Sequence, residues 1–216
     1  MKRLVLPRLY VILDAALVTI PETECAERLA ASGVRLLQYR NKRASARELF
    51  ESSKRLASLL IPKGVTFVVN DRADVAAAAD ASGVHVGQED LRVEAVRSVM
   101  GAGKLLGVST HNIEQFKGAA AATSADYVAV GPVFSTSTKA NPEPVVGIEF
   151  IRRVRPLTDK PIVAIGGITL ERAAEVIRAG ADSVAVIGDI LLASDPGQRA
   201  RQYVELLETA KPAAAV

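Results

Sequence analysis

The chain has 216 residues, about half of them hydrophobic, with a formal net charge of +3. That is enough chain for one well-buried core, and its interspersed charges form no block of one sign, which argues against a nucleic-acid surface and suits a small anionic ligand. The single cysteine, Cys25, excludes a disulfide framework and a cysteine metal cluster, and no apolar run approaches the ~20 residues of a membrane span.

The opening "MKRLVLPRLYVILDAA" has a basic pair and an apolar stretch, but Arg8 and Asp14 interrupt it. No small-residue cleavage site follows, so the start is not read as a signal peptide and a cytoplasmic protein is expected. From there, short apolar runs alternate with longer helical patterns. The runs fall at 9–14, 34–40, 65–71, 83–87, 105–109, 127–132, 161–167 and 183–188. Between them, apolar residues recur at three- and four-residue steps, as in "SARELFESSKRLASLL" and "TLERAAEVIRAG". Near-continuous apolar strands indicate a parallel sheet buried on both faces. Eight strand–helix units in this length fit an α/β fold, a single (β/α)8 TIM barrel spanning 1–216, with 1–8 and 211–216 as flexible ends. The entry turns "ASGVRLL", "ASGVHVG", "TSADYVAV" and "AGADSVAV" resemble one another, as equivalent barrel units would. A doubly wound open sheet would need polar edge strands, and none is evident.

In such a barrel the strand C-termini line one mouth. The second strand ends in "QYRNK", where Gln38, Arg40 and Lys42 alternate and share a face. An amide, a guanidinium and an ammonium together suit a highly charged phosphate group. Asn70 and Asp71 end the third strand, and Gln88 and Asp90 follow the fourth. Two carboxylates from neighbouring strands, without a cysteine or histidine partner, suit Mg2+. Taken singly, each could instead cap the helix that follows it. The fifth strand ends in Ser109, Thr110 and His111, whereas His85 lies mid-strand and reads as a packed core residue. The sixth loop gathers Ser135, Thr136, Ser137, Thr138 and Lys139, and residues 135–144 are the candidate lid. Gly166 and Gly167, then Ile187 and Gly188, supply backbone N–H groups of the kind that hold a phosphate monoester in many barrels. The mouth thus reads as two anion sites. One is basic and metal-bearing, suited to a diphosphate; the other is built of amides and hydroxyls, suited to a monophosphate.

The ordered motifs "QYRNK", "FVVNDR", "GVHVGQEDL", "GVSTH", "GPVFSTSTK" and "GGI" closely resemble those of the thiamine phosphate synthase family, across nearly the whole chain. The resemblance implies a transferase that joins 4-amino-5-hydroxymethyl-2-methylpyrimidine diphosphate to a phosphoethyl thiazole and releases diphosphate. It assigns Gln38, Arg40, Lys42, Asn70 and Lys139 to the pyrimidine diphosphate and Asp71 and Asp90 to Mg2+. It assigns Ser109 to the pyrimidine or its leaving group, and Thr136, Thr138, Gly167, Ile187 and Gly188 to the thiazole phosphate. Two positions depart from the family pattern. Tyr39 replaces a usual Leu and should point away from the mouth, and Gly188 stands where many members have Ser. Two rival readings are a thiazole tautomerase, which would promote His111 to acid–base duty, and a non-catalytic phosphate-binding barrel. The expected partners are small-molecule substrates, with neither nucleic acid nor membrane; the sequence leaves a homo-oligomer open.

Overall fold

The structure, a computed structural model, describes residues 4–136 and 143–210. Eight parallel strands close into a barrel in chain order: β1 (Leu9–Asp14), β2 (Leu36–Arg40), β3 (Thr66–Asn70), β4 (Gly83–Val86), β5 (Leu105–Thr110), β6 (Tyr127–Val130), β7 (Ile162–Ile165) and β8 (Ser183–Val186). β8 pairs back onto β1, with Leu9 beside Val184 and Val11 beside Val186. The outer layer contains α1 (Glu22–Ala31), α2 (Ala46–Leu60), α3 (Ala73–Ala78), α4 (Val93–Met100), α5 (Ile113–Ala121), α6 (Ile148–Val154), α7 (Leu170–Arg178), α8 (Gly188–Leu191) and α9 (Pro196–Thr209). This is the (β/α)8 barrel that the strand pattern predicts.

Several strands stop short of their predicted C-terminal ends, each at a residue that cannot continue the ladder. Asp71 turns to a φ of 63° after β3. Pro132, two residues beyond β6, has no N–H to donate. Gly166 and Gly167, at φ 103° and 60°, turn the chain off β7. The apolar pattern sees hydrophobicity, not these backbone stops. One element was not anticipated: α9, which starts at Pro196 behind an Asp195 cap that accepts from the Gln198 N–H at 3.0 Å. It packs on α1 and α7.

Alternation along the strands builds two cores. On β1, Leu9, Val11 and Leu13 face the helices, while Tyr10 and Ile12 face the barrel axis. The axial core adds Leu6, Leu36, Val68, Tyr127, Ala129, Val163 and Ala185. Leu6 is buried there, and the Arg8 carbonyl accepts from the Val184 N–H at 2.8 Å. Tyr127 fits only because its neighbour on β5 is Gly107, where a Cβ would lie 2.0 Å from the tyrosine ring. That glycine admits a phenol to the centre of the barrel. Tyr39 points outward, as expected, into the helix layer, and its hydroxyl donates to Glu22 at 2.7 Å. Among the described residues no helix is long and apolar enough to cross a membrane.

Candidate active site

The C-terminal ends of the strands enclose a cavity of about 380 Å3. Gln38, Arg40, Asn70, Ser109, Thr136, Gly167, Ile187 and Gly188, read from six separate stretches of sequence, all line it. Thr138 and Lys139, and the middle of the candidate lid, lie outside the described residues.

The first wall is charged. At the end of β1, Asp14 is buried, and its carboxylate accepts from the Ala16 N–H at 3.0 Å and pairs with Arg40 on β2. This partner was not among the expected site residues; its only trace in the sequence is an acid closing an apolar run. It aims the guanidinium and leaves the pair mostly shielded from water. The Lys42 loop is shaped by Asn41, whose Oδ1 accepts from the N–H groups of Arg43 and Ala44 at 3.1 Å each. Lys42 then reaches across to pair with Asp71.

Lys42, Asp71 and Asp90 do not line the cavity; they form a separate cluster that starts one residue beyond Asn70. Asp71 sits in the left-handed region, which Asp tolerates better than most residues, and its N–H donates to the His85 carbonyl at 2.7 Å. Asp90 folds back to accept from the Gly87 N–H at 2.7 Å. Burial, together with the neighbouring Asp71 carboxylate, pushes Asp90 above the usual carboxylate range, against the lowering effect of that N–H. Neither residue caps a helix: α3 and α4 begin behind Arg72 and Arg92 without a side-chain cap. Two hard oxygen donors that repel one another fit a divalent cation, whose charge would relieve the repulsion. Among the described residues no group of three or more His, Cys, Asp or Glu gathers. The remaining ligands would therefore be water or substrate oxygens, a common arrangement for Mg2+.

The second wall is built from backbone. Val133 and Phe134 donate their N–H groups to the carbonyls of Ile165 and Gly166, at 2.9 and 3.0 Å, laying the β6 loop on the glycine turn. A Cβ at Gly167 would lie 2.3 Å from the Ser135 carbonyl oxygen, so the two segments can meet only at glycine. One cation stands over this turn. Arg172, in the first turn of α7, donates to the Gly167 carbonyl at 3.1 Å and stacks on the Phe134 ring at 4.6 Å. Nothing in the sequence distinguishes Arg172 from an ordinary surface residue of an amphipathic helix. Beside Gly188, the Asp189 carboxylate is held by Arg199 at 3.2 Å and by the Tyr203 hydroxyl at 2.7 Å.

His85 corrects an expectation. It is buried, as predicted, but it lines the cavity and does more than fill the core. Its Nδ1 meets the Tyr127 hydroxyl at 2.9 Å, its Nε2 meets Ser109 Oγ at 2.8 Å, and its ring stacks on Tyr127. His111 also lines the cavity, with Nδ1 2.6 Å from the Gly131 carbonyl.

Fold and mouth together define a barrel enzyme with a site for anionic small molecules. The family model described as thiamine monophosphate synthase matches residues 9–190. A thiamine-phosphate synthase of Koribacter versatilis is 52% identical over 211 residues, covering 94% of this chain and 97% of that protein. Another, of Chloroflexus aurantiacus, is 43% identical and covers 93% of this chain and 92% of that protein. Among solved structures, the thiamine phosphate pyrophosphorylase of Pyrococcus furiosus superposes with a TM-score of 0.84 at 33% identity, covering 94% of this chain and 96% of that one. The chain belongs to the thiamine monophosphate synthase family, a family of transferases.

Proposed function

We propose that this mouth condenses 4-amino-5-hydroxymethyl-2-methylpyrimidine diphosphate with 4-methyl-5-(2-phosphoethyl)thiazole, giving thiamine phosphate and diphosphate. The observation that carries the division of labour is the meeting, in one cavity, of a charged wall and a glycine-built wall. Gln38, Asn70 and Ser109 hold the pyrimidine ring, while Arg40, Lys42 and Lys139 take up the diphosphate. Thr136, Thr138, Gly167, Ile187 and Gly188 hold the thiazole phosphate, and Arg172 supplies a cation at the same end. Gly188 offers only its backbone, so Arg172 provides the charge that a hydroxyl there would not.

The reaction proceeds by departure of the diphosphate. Arg40, fixed by Asp14 in a mostly buried pair, and the two lysines stabilise the negative charge that develops on the leaving group. Asp71 and Asp90 would hold Mg2+, which would supply further charge neutralisation for the diphosphate. The aminopyrimidine stabilises the cationic methylene carbon left behind, and the thiazole nitrogen, aligned by its anchored phosphate, forms the new C–N bond. No protein nucleophile enters this scheme. The setting is read as cytoplasmic and the partners as these two small molecules.

The reading is tested by incubating the pure chain with both substrates and Mg2+ and quantifying both products. Equimolar thiamine phosphate and diphosphate, lost on adding a chelator, are expected. Diphosphate released without thiamine phosphate, or no turnover at all, would contradict it.

A further inference from the structure

Ser109 and Gln38 lie on separate strands of the mouth, yet a continuous chain of buried hydrogen bonds connects them. Gln38 Nε2 meets the Tyr10 hydroxyl at 2.8 Å, and the Tyr10 hydroxyl meets that of Tyr127 at 3.1 Å. The Tyr127 hydroxyl meets His85 Nδ1 at 2.9 Å, and His85 Nε2 meets Ser109 Oγ at 2.8 Å. Both phenols are fully buried. Burial holds both well above their ordinary titration range, so each carries its single proton at any working pH.

With the Gln38 amide nitrogen facing Tyr10, the donor inventory sets the direction of this chain. An amide nitrogen only donates, so Gln38 Nε2 donates to Tyr10. The Tyr10 proton has one remaining acceptor, the Tyr127 oxygen. The Tyr127 proton must then go to His85 Nδ1. A neutral imidazole that accepts at Nδ1 carries its proton on Nε2, which donates to Ser109 Oγ. The proton of Ser109 is left to point into the cavity, which that residue lines. At the other end, Gln38 also lines the cavity and is not among the residues with a buried, unpartnered polar atom. Its Oε1 is the acceptor left over.

We propose that Tyr10, Tyr127 and His85 are positioning residues, forming a one-way relay that sets Gln38 to accept and Ser109 to donate at the mouth. The inference rests on the proposed pyrimidine reading. A 4-aminopyrimidine offers an exocyclic amine that donates beside a ring nitrogen that accepts, so it matches this pair of ends. A 4-oxopyrimidine offers the reverse pattern, and matching it would require every proton in the relay to reverse. The relay therefore selects amino over oxo rings from residues that do not themselves bind the ring's polar edge.

The chain has only two histidines, which makes a direct test practical. In a nitrogen–proton correlation spectrum of the histidine-labelled full chain without ligands, His85 is expected to show its proton on Nε2. His111, which must donate from Nδ1 to the Gly131 carbonyl, is expected to show the opposite tautomer; His111→Gln assigns the signals. A proton on His85 Nδ1 would overturn the relay. In steady-state assays, Tyr127→Phe is expected to lower kcat/KM for the pyrimidine diphosphate roughly tenfold, on the scale of one hydrogen bond, with the KM for the thiazole phosphate unchanged. The same variant should lose roughly tenfold of its discrimination against the 4-oxo diphosphate. Unchanged kinetics in a folded Tyr127→Phe protein would overturn the proposal, as would a wild type that uses both rings equally. If that variant fails to fold, the wild-type spectrum and ring preference decide. A wild type that turns over neither ring defeats the functional reading, and the spectrum then still decides the relay.

Discussion

The two walls of the mouth recognise anions by different physical means. The wall on β1 to β4 uses side-chain charge: Arg40 against Asp14, and Lys42 against Asp71 with Asp90 beside it. The wall on β6 to β8 uses backbone shape, with Gly166 and Gly167 at positive φ packed under the Phe134–Ser135 segment. A leaving diphosphate gains charge as the reaction proceeds, so full positive charges held in place belong where it departs. A phosphate that serves as an anchor does not change charge, so fixed dipoles suffice there.

The largest loss of activity is expected when charge is removed from the first wall. Asp71→Asn keeps the side-chain shape and tolerates a φ of 63°. It is expected to lower turnover about 10²-fold or more, on the scale of losing one charge-stabilising group. In thermal melts, Mg2+ should raise the Tm of the wild type and leave that of the variant unmoved. A variant with wild-type rates would return Asp71 to a purely structural role.

Next in size is Arg40→Ala, which strands Asp14, whose side chain is only 4% exposed. Breaking a buried pair from one side costs about 3–5 kcal/mol. Denaturant titration should show that loss, and adding Asp14→Asn should recover part of it. Turnover should stay low in both variants.

The backbone wall is probed by Gly167→Ala. Its Cβ would meet backbone at 2.3 Å, so the turn must shift. The KM for the thiazole phosphate should rise roughly tenfold or more, by the loss of at least one well-placed hydrogen bond. The KM for the pyrimidine diphosphate should hardly move. Arg172→Ala should act on the same KM more weakly, about threefold, because its guanidinium is exposed and screened.

The smallest effect lies away from both walls. Burial raises the Cys25 thiol to about 11. The unfolded chain therefore loses that proton first, and the thiol's contribution to stability is present below about pH 9 and declines as pH rises toward 11. Alkylation of the native protein at pH 8.5 should be slow and should accelerate only on unfolding. Fast native labelling would place Cys25 at the surface.

The charged wall was largely legible in the sequence because its chemistry is carried by letters. Gln38, Arg40, Asn70 and Asp71 stand where apolar runs end, and a barrel turns strand ends into a mouth. The glycine wall was half legible: "GG" marks a turn, but not that Ser135 presses on it. What could not be read depends on facing and adjacency. Asp14 meets Arg40 only because β1 and β2 pair with those residues in register. Tyr10, Tyr127 and His85 meet only on the barrel axis, through residues far apart in the chain, and a strand pattern buried on both faces hides which side chains turn inward. Arg172 needed the β6 loop in place beside it.

The division of labour between the walls is decided by a pair of kinetic profiles, each substrate varied in turn, for Asp71→Asn and Gly167→Ala. If the walls divide the work as described, Asp71→Asn loses turnover with little change in the KM for the thiazole phosphate. Gly167→Ala, by contrast, raises that KM while largely retaining turnover at saturation. If both variants depress turnover and both KM values alike, the two walls act as one site and the division proposed here is wrong.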